Sequence, residues 1–372
     1  MKKLYYLILT IFLISACNSN PQKKADVQLI TQHESAAISF RSDQKLEVLY
    51  YVFLLAEYPL ISQYQSQYKS EVIEHYTKFK SHKAVTIAKE LFGKEFVADS
   101  PVSWVFQYSD FPEFEKKHEA DFPFEELPIT NDSYELFRKE LINFFNDTKS
   151  DSFLISQQAF LDSMILSVSS SYSQKNIIQI IEDYFGEEKD AKCDIILSPL
   201  LHSGGFSIEY TSKKEMLALI GPNDSKNSRL HFDQDYLEKD IAIHEFSHNY
   251  TNPIVDEFSQ QTQEFEGALY PPIKEQIKEE GYASWQACMY ELIVRATSIR
   301  IAKKVYGNKT ANEIMEYDKK VGFIYIEALT NKLAEYEDKR DQYPTFRRFY
   351  PELIKEFERL RKETIANKIY HK

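Results

Sequence analysis

The chain has 372 residues, of which 43% are hydrophobic and 27% charged, and its net charge at pH 7 is −12. This composition excludes a disordered or fibrous protein, and the length suffices for one large domain or two modest ones. The negative charge excludes nucleic acid as a partner, because phosphate binding requires a basic surface. Only 9 glycines, against 25 tyrosines and 26 phenylalanines, favour a helix-rich protein with aromatic packing.

The first residues indicate export. A short basic end precedes an apolar run, Leu4 to Ile14, which is too short for a permanent membrane span. The run leads into "ISAC", which resembles a bacterial lipobox ending at Cys17. Residues 1–16 are then a lipoprotein signal peptide. Lipidated Cys17 would anchor the protein to the membrane of the cell envelope, and Asn18 favours the outer membrane. The alternative is an ordinary secretory signal.

Two further cysteines, Cys193 and Cys288, follow much later in the chain. Export would place them outside the reducing cytosol, where a disulfide is permitted. Two cysteines alone do not establish a bridge, so free buried thiols and a single disulfide both remain open at this point.

The pattern divides the exported chain into three parts. Residues 17–36 are polar and irregular, which predicts a flexible tether. Residues 37–190 carry apolar side chains at helical spacing and form a predicted helical N-terminal region. Residues 191–365 open with three short strand-like segments, "CDIILSPLL", "FSIEY" and "EMLALIGP", after which helices resume. We therefore predict an α+β fold that is mostly helical and has a small mixed sheet.

The motif "HEFSH" directly follows the strand-like segments. His244 and His248 are four residues apart, so on a helix both imidazoles point the same way and can bind one zinc ion. Glu245 lies one step round the helix, where it can reach a metal-bound water as a general base. Apolar neighbours predict that the helix is buried, with Asn252-Pro253 ending it. The alternative is a pair of buried, hydrogen-bonded histidines.

A third ligand must come from elsewhere. A downstream histidine in the pattern His-Glu-x-x-His-x-x-Gly-x-x-His is excluded, because Thr251 and Ile254 occupy the required positions. Glu291 is the leading candidate, since its neighbourhood "ACMYELIVRATSI" is almost wholly apolar and a lone carboxylate there needs a partner. Arg295, one helical turn on, is either that partner or a group that orients Glu291 for the metal. The other candidates are glutamates in polar surroundings: Glu264, Glu266, Glu279 and Glu280.

These motifs support a resemblance. "HEFSHNYTNP", the upstream Gly-Gly strand and "YELIVRA", together with "LEVLYYVFLLAEY" and "YKSEVIEHYTKFKSHKAV", resemble an uncharacterised bacterial family, domain of unknown function 4932, with a zincin-like core. The resemblance covers roughly residues 37 to 360. It implies a gluzincin-type peptidase site in which His244, His248 and Glu291 bind zinc and Glu245 is the base.

Substrate binding and oxyanion stabilisation need further groups. Zincin-type folds hold the substrate on an edge strand that shortly precedes the metal helix, and "GGFSIEY" has that place, with Gly204, Gly205 and Phe206 at its start. A plain hairpin strand is the alternative. A tyrosine or histidine donor often helps zinc to stabilise the oxyanion. The sequence does not rank the candidates, which are Tyr250, Tyr270, Tyr282, Tyr290, His202 and His231.

Together these features predict a membrane-tethered peptidase with one zinc ion per chain, acting on a peptide or protein substrate. A different class of function is a non-catalytic envelope lipoprotein that uses the same fold as a binding or scaffold module. The intact Glu245 favours the enzyme, since a protein that had lost catalysis would be expected to lose its base.

Overall fold

A computed structural model describes residues 33–35, 38–172 and 175–370. The protein is mostly helical with a small mixed sheet, which confirms the predicted α+β class. Cys17, the predicted signal peptide and most of the predicted tether lie outside the described residues. Within the described part of the chain, no helix combines the length and apolar character needed to cross a membrane.

The main sheet has five strands in the order β1-β2-β3-β5-β4. β2, β3 and β5 run parallel, whereas β1 and β4 pair antiparallel with β2 and β5 at the two edges. A separate hairpin is formed by β6 and β7. The strands are β1 His33–Ser35, β2 Ile38–Arg41, β3 Lys192–Leu197, β4 Gly205–Tyr210, β5 Glu215–Ile220, β6 Asp224–Lys226 and β7 Arg229–His231.

In the described residues, seven α-helices lie between β2 and β3, and nine follow β7. The first set is α1 Gln44–Leu55, α2 Gln67–Tyr76, α3 Lys83–Phe92, α4 Asp99–Val105, α5 Asn131–Asp147, α6 Ser150–Ser171 and α7 Ile177–Phe185. The second set is α8 Gln234–Tyr236, α9 Ala242–Glu257, α10 Ser259–Gln263, α11 Glu266–Leu269, α12 Lys274–Glu279, α13 Trp285–Tyr306, α14 Asn308–Lys320, α15 Ile326–Asp338 and α16 Phe346–Tyr370.

β1 and β2 lie in segments where no strand was predicted. β1 lies inside the predicted tether, and β2 lies inside the region predicted to be helical. Ile38 of β2 pairs with Cys193 of β3, so one sheet joins the two predicted regions across more than 150 residues. A four-residue strand is too short to show a periodic pattern, and parallel pairing between distant segments leaves no local signal. The predicted regions therefore share one sheet.

The helix that carries the "HEFSH" motif is longer than predicted. α8 continues through one π-helical turn, Leu237–Ile241, into α9, and α9 runs through Pro253 to Glu257. The predicted end at Asn252-Pro253 is therefore wrong. Proline removes one backbone hydrogen bond from a helix but does not end it when tertiary packing holds both sides. Here Ile254 and Val255, beyond the proline, are fully buried.

Both remaining cysteines are buried and free. Cys193 lies in β3 and Cys288 in α13, and no disulfide joins them. Burial raises the pKa of the Cys193 thiol to about 12. The two residues therefore act as small hydrophobic side chains in the core rather than as a bridge.

A buried carboxylate connects α1 to the sheet and makes stability depend on pH. Glu47 is fully buried and accepts hydrogen bonds from the Tyr68 hydroxyl at 2.6 Å and the Ser198 hydroxyl at 2.8 Å. Burial raises its pKa from 4.5 to about 7 in spite of these bonds. The folded protein therefore holds this proton more tightly than the unfolded chain does, and stability falls as pH rises from about 4.5 to 7.

We expect Glu47→Gln to remove this part of the pH dependence, which amounts to at most roughly 3 kcal/mol. Urea denaturation at pH 5 and pH 8 measures the difference in free energy of unfolding. Glu74→Gln, at an exposed position of α2, is the matched control and should behave like the wild type. An unchanged pH dependence in Glu47→Gln would show that Glu47 is ionised throughout this range.

Candidate metal centre

Three predicted ligands meet in one place. The Nε2 atoms of His244 and His248 are 3.1 Å apart, and the carboxylate oxygens of Glu291 lie 3.7 Å and 3.4 Å from them, respectively. One candidate ligand atom from each of the three residues lies within 4.8 Å of the others, so among the described residues they form a group that could hold a metal ion. The predicted convergence of His244, His248 and Glu291 is therefore present in the structure.

The packing of two helices produces this arrangement. α9 supplies the two histidines from successive turns of one face, and α13 packs against it and supplies Glu291. Glu291 is 6% exposed and His244 is 8% exposed, so the group is buried between the helices. Three polar groups in such a position need mutual partners or an ion, because isolated buried polar groups cost free energy.

Hydrogen bonds set the orientation of the ligands. The Nδ1 atom of His248 lies 3.0 Å from Oδ1 of Asn252, which leaves Nε2 facing His244 and Glu291. Nε of Arg295 donates to Oε2 of Glu291 at 2.9 Å. Sequence reasoning treated Asn252 only as a helix stop and missed this role. The spacing of four residues from His248 is the signal that could have revealed it.

The charges of the group suit a cation. Burial lowers the pKa of His244 to about 3, so this imidazole is neutral and available as a ligand. Burial would raise the pKa of Glu291, but Arg295 and the two histidines outweigh it and hold that pKa well below its usual range. Burial also disfavours charge on His248, yet its hydrogen bond and attraction to Glu291 raise the pKa to about 9. A metal ion would therefore displace a proton from His248 on binding.

Glu245 lies beside the group without being one of its members. It is 4% exposed and has no hydrogen-bond or ion-pair partner among the described residues. Burial raises its pKa to about 8, while His248 opposes the shift. A nearby metal ion would lower this pKa and favour the carboxylate form that a general base requires.

Gly205 lies directly against Glu245 at the start of the edge strand. A Cβ atom at Gly205 would lie 2.8 Å from Oε1 of Glu245 and 2.7 Å from the carbonyl oxygen of Leu219. Gly204, with φ +129°, donates its N–H to the Tyr236 hydroxyl at 2.8 Å. Gly205 therefore allows β4 to lie close to Glu245, a contact that the sequence did not reveal.

β4 has the predicted edge position. It pairs with β5 and ends the sheet, and its Gly205 and Ser207 face α9, where the Ser207 hydroxyl donates to Asn249 at 3.2 Å. Phe206 points to the opposite face and is 7% exposed, with the His202 ring 5.2 Å away. The side chain of Phe206 therefore belongs to the core, while the strand backbone remains at the sheet edge.

The structure ranks the candidates for a hydrogen-bond donor. Tyr282 lies next to the group, because its hydroxyl accepts a hydrogen bond at 3.4 Å from Arg295, which itself binds Glu291; burial and the charge of Glu291 raise the pKa of Tyr282. The remaining tyrosines have other partners or packing: Tyr250 stacks on Phe185, Tyr270 donates to the Tyr282 carbonyl, and Tyr290 donates to Asp256. His202 lies beside Gly204, and His231 is exposed on the β6-β7 hairpin.

The alternative third ligands lie outside the group. Glu264, Glu279 and Glu280 are exposed, and Glu266 is half-buried and accepts a hydrogen bond from Gln263. Asp99, which sequence reasoning did not consider, lies at the start of α4; burial raises its pKa to about 6, while the charge of His248 opposes the shift and that of Glu291 adds to it. The N-terminal helical region thus adds a negative charge near the site.

The fold and the site define a helix-rich α+β protein with a buried His-His-Glu group next to a sheet edge. Residues 55–356 match the family model "Domain of unknown function (DUF4932)". The chain belongs to this family, as the resemblance in the sequence indicated. Comparisons with curated proteins and with solved structures found no match.

Proposed function

We propose that this protein is a zinc-dependent peptidase in which His244, His248 and Glu291 hold one zinc ion and Glu245 is the general base. The observation that carries the proposal is the geometry of the three ligands. Zinc bonds of about 2.0–2.1 Å in a tetrahedral site place neighbouring ligand atoms ~3.3 Å apart. The separations of 3.1 Å between the two Nε2 atoms and 3.4 Å from Nε2 of His248 to Oε1 of Glu291 are close to this value, and Nε2 of His244 lies 3.7 Å from the other oxygen, Oε2. Three protein ligands leave a fourth position for water, the arrangement typical of catalytic zinc.

Each residue then has a defined task. Zinc, when bound, would supply the Lewis acid that activates water and stabilises the oxyanion. Glu245 accepts the proton of that water and returns it to the leaving amine. The backbone of β4 holds the substrate in an extended conformation by main-chain hydrogen bonds along the sheet edge, beginning at Gly205. We infer that Tyr282, whose hydroxyl lies 3.4 Å from NH2 of Arg295, is the donor that helps to stabilise the oxyanion.

The wider proposal is a zincin-like peptidase that is exported and anchored to the cell envelope through lipidated Cys17. Support comes from the order of the elements, in which edge strand β4 precedes the helix with the two histidines and a later helix supplies the glutamate. The lipobox-like sequence supports the anchor. Mass spectrometry of the N-terminal peptide tests it, since a diacylated Cys17 is expected and an unmodified cysteine contradicts it.

A second candidate function is metal binding without catalysis. The deep burial of Glu245, at 4% exposure, favours it, because a base that a substrate cannot reach has no reaction to serve. In this case the protein would be an envelope binding or scaffold module.

Metal analysis together with peptide cleavage separates the two functions. We expect the purified protein to contain about one zinc per chain and to cleave members of a broad peptide library. His244→Ala should lose both properties, because two ligands do not retain zinc in competition with a chelator. His231→Ala, which changes an exposed histidine on the β6-β7 hairpin, is the matched control and should retain both. Zinc without cleavage in the wild type would favour the binding module, and zinc-free protein would contradict both functions.

A further inference from the structure

Arg295 joins the metal centre to a second carboxylate. Its Nε donates to Oε2 of Glu291 at 2.9 Å, and its NH1 lies 2.5 Å from Oδ1 of Asp318. The side chain of Asp318 is 2% exposed and that of Arg295 is 17% exposed. A buried charge without a partner is strongly unfavourable, so the guanidinium and both carboxylates depend on one another.

Other groups restrict the guanidinium further. The ring of Phe323, which follows α14, has its centroid 4.4 Å from Cζ of Arg295. The Tyr282 hydroxyl, from the segment before α13, accepts a hydrogen bond from NH2 at 3.4 Å. Asp318 itself lies in α14. Three residues outside α13 therefore fix the position of the Arg295 side chain. A simple i,i+4 ion pair on a helix needs no such additional contacts.

This arrangement gives the two oxygens of Glu291 different roles. Oε2 accepts the hydrogen bond from Arg295 and lies 3.7 Å from Nε2 of His244, whereas Oε1 lies 3.4 Å from Nε2 of His248 and is not bonded to Arg295. Without Asp318 to hold NH1, the whole guanidinium of Arg295 would be free to rotate and to present two of its N–H groups to Glu291. A guanidinium binds a carboxylate best through two parallel hydrogen bonds, so it would then compete with the metal for Oε1.

We propose that Asp318 is a positioning residue of the metal centre, which holds Arg295 so that Glu291 keeps one oxygen free for the metal. The inference rests on the proposed metal site and does not depend on peptidase activity. It predicts that zinc affinity depends on a residue of α14 that contributes no ligand atom to the His-His-Glu group.

The test is the zinc affinity of Asp318→Asn, measured by competition with a chromophoric chelator. Asparagine keeps the size of the side chain but gives up the charge that holds Arg295. We expect the affinity to fall by about 10–100-fold, the usual effect of removing a group that orients a metal ligand. The unfolding temperature of the metal-free variant is measured in parallel. It shows that the variant is folded, so that its zinc affinity can be compared with that of the wild type.

Two further variants separate position from charge and provide a second route if Asp318→Asn does not fold. Arg295→Lys keeps the net charge but loses the planar fork, so a loss of zinc affinity in this variant reports positioning alone. Glu337→Gln is the matched control. This substitution breaks the ion pair between Glu337 of α15 and Arg300, which lies on α13 as Arg295 does but away from the ligands. It should leave zinc affinity unchanged.

The outcomes are distinct from those that test the peptidase. Reduced zinc affinity in Asp318→Asn and Arg295→Lys, with Glu337→Gln unchanged, supports the proposal whether or not the wild type cleaves peptides. Wild-type affinity in a folded Asp318→Asn or Arg295→Lys overturns it. An equal loss in Glu337→Gln also overturns it, because the effect would then reflect general helix stability. A wild type that binds no zinc overturns this proposal and the peptidase together.

Discussion

Replacing Glu245 by glutamine is expected to abolish peptide cleavage while one zinc ion per chain is retained. The residue follows His244 directly, but its carboxylate is not part of the ligand group, and it lies against Gly205 at the start of the edge strand. Glutamine has the same shape and cannot accept a proton from metal-bound water. General acid–base groups contribute about 10²–10⁴-fold, so we expect a fall of that size in kcat.

The measurement is the rate of cleavage of a peptide substrate found in the library, together with zinc analysis of the same sample. Glu257→Gln, at the end of the same helix and partly exposed, is the matched control and should retain wild-type activity. Cleavage at the wild-type rate by zinc-loaded Glu245→Gln would show that another group is the base.

Replacing Glu291 by alanine is expected to remove zinc and to destabilise the metal-free protein. Glu291 is the carboxylate that neutralises Arg295 and His248, and all three side chains are largely buried. Without Glu291, Arg295 and His248 have only the charge of Asp318 to balance them, and removing one partner of a buried ion pair typically costs about 3–5 kcal/mol. The free energy of unfolding in urea, measured with chelator present, should fall by this amount.

A matched alanine substitution at an exposed ion pair calibrates this effect. Glu313 pairs with Lys309 on the surface of α14, and Glu313→Ala should change the free energy of unfolding by less than ~1 kcal/mol. Glu291→Gln keeps an oxygen for Arg295, so its loss in free energy of unfolding should lie between those of Glu291→Ala and Glu313→Ala. If Glu291→Ala were as stable as the wild type and retained zinc, Glu291 would be neither a ligand nor the partner of Arg295.

Local spacing and burial in the sequence were sufficient to identify the candidate ligands. His244 and His248 share a helix face because a helix turns every 3.6 residues, and this relation needs no tertiary information. Glu291 was identified because a carboxylate in an apolar segment needs a partner. In the structure Arg295 donates a hydrogen bond to Glu291, and the two histidines lie beside it. The alternating pattern predicted β4 as a strand, and the likeness to zincin-type folds predicted its edge position, which the sheet order has.

Tertiary packing decided the features that have no local pattern. β2 is too short for periodicity and is held by parallel pairing with β3. α9 continues through Pro253 because buried residues beyond it hold the helix. Tyr282 was one of six equivalent candidates until the fold brought it to Arg295. Asp318 carries no signal in its own helix, since its role arises only from contact with a different helix.

The amino-acid sequence by itself determined the mostly helical class, the two imidazoles on one helix face and the buried carboxylate, Glu291, that lies with them. These follow from helical periodicity and from the cost of burying an unpaired charge. Only the tertiary structure decided which side chains surround that acid, because contacts between segments far apart in the chain depend on how helices and strands pack. Gly205 against Glu245 and Asp318 against Arg295 are the two contacts of this kind that bear most directly on the proposed chemistry.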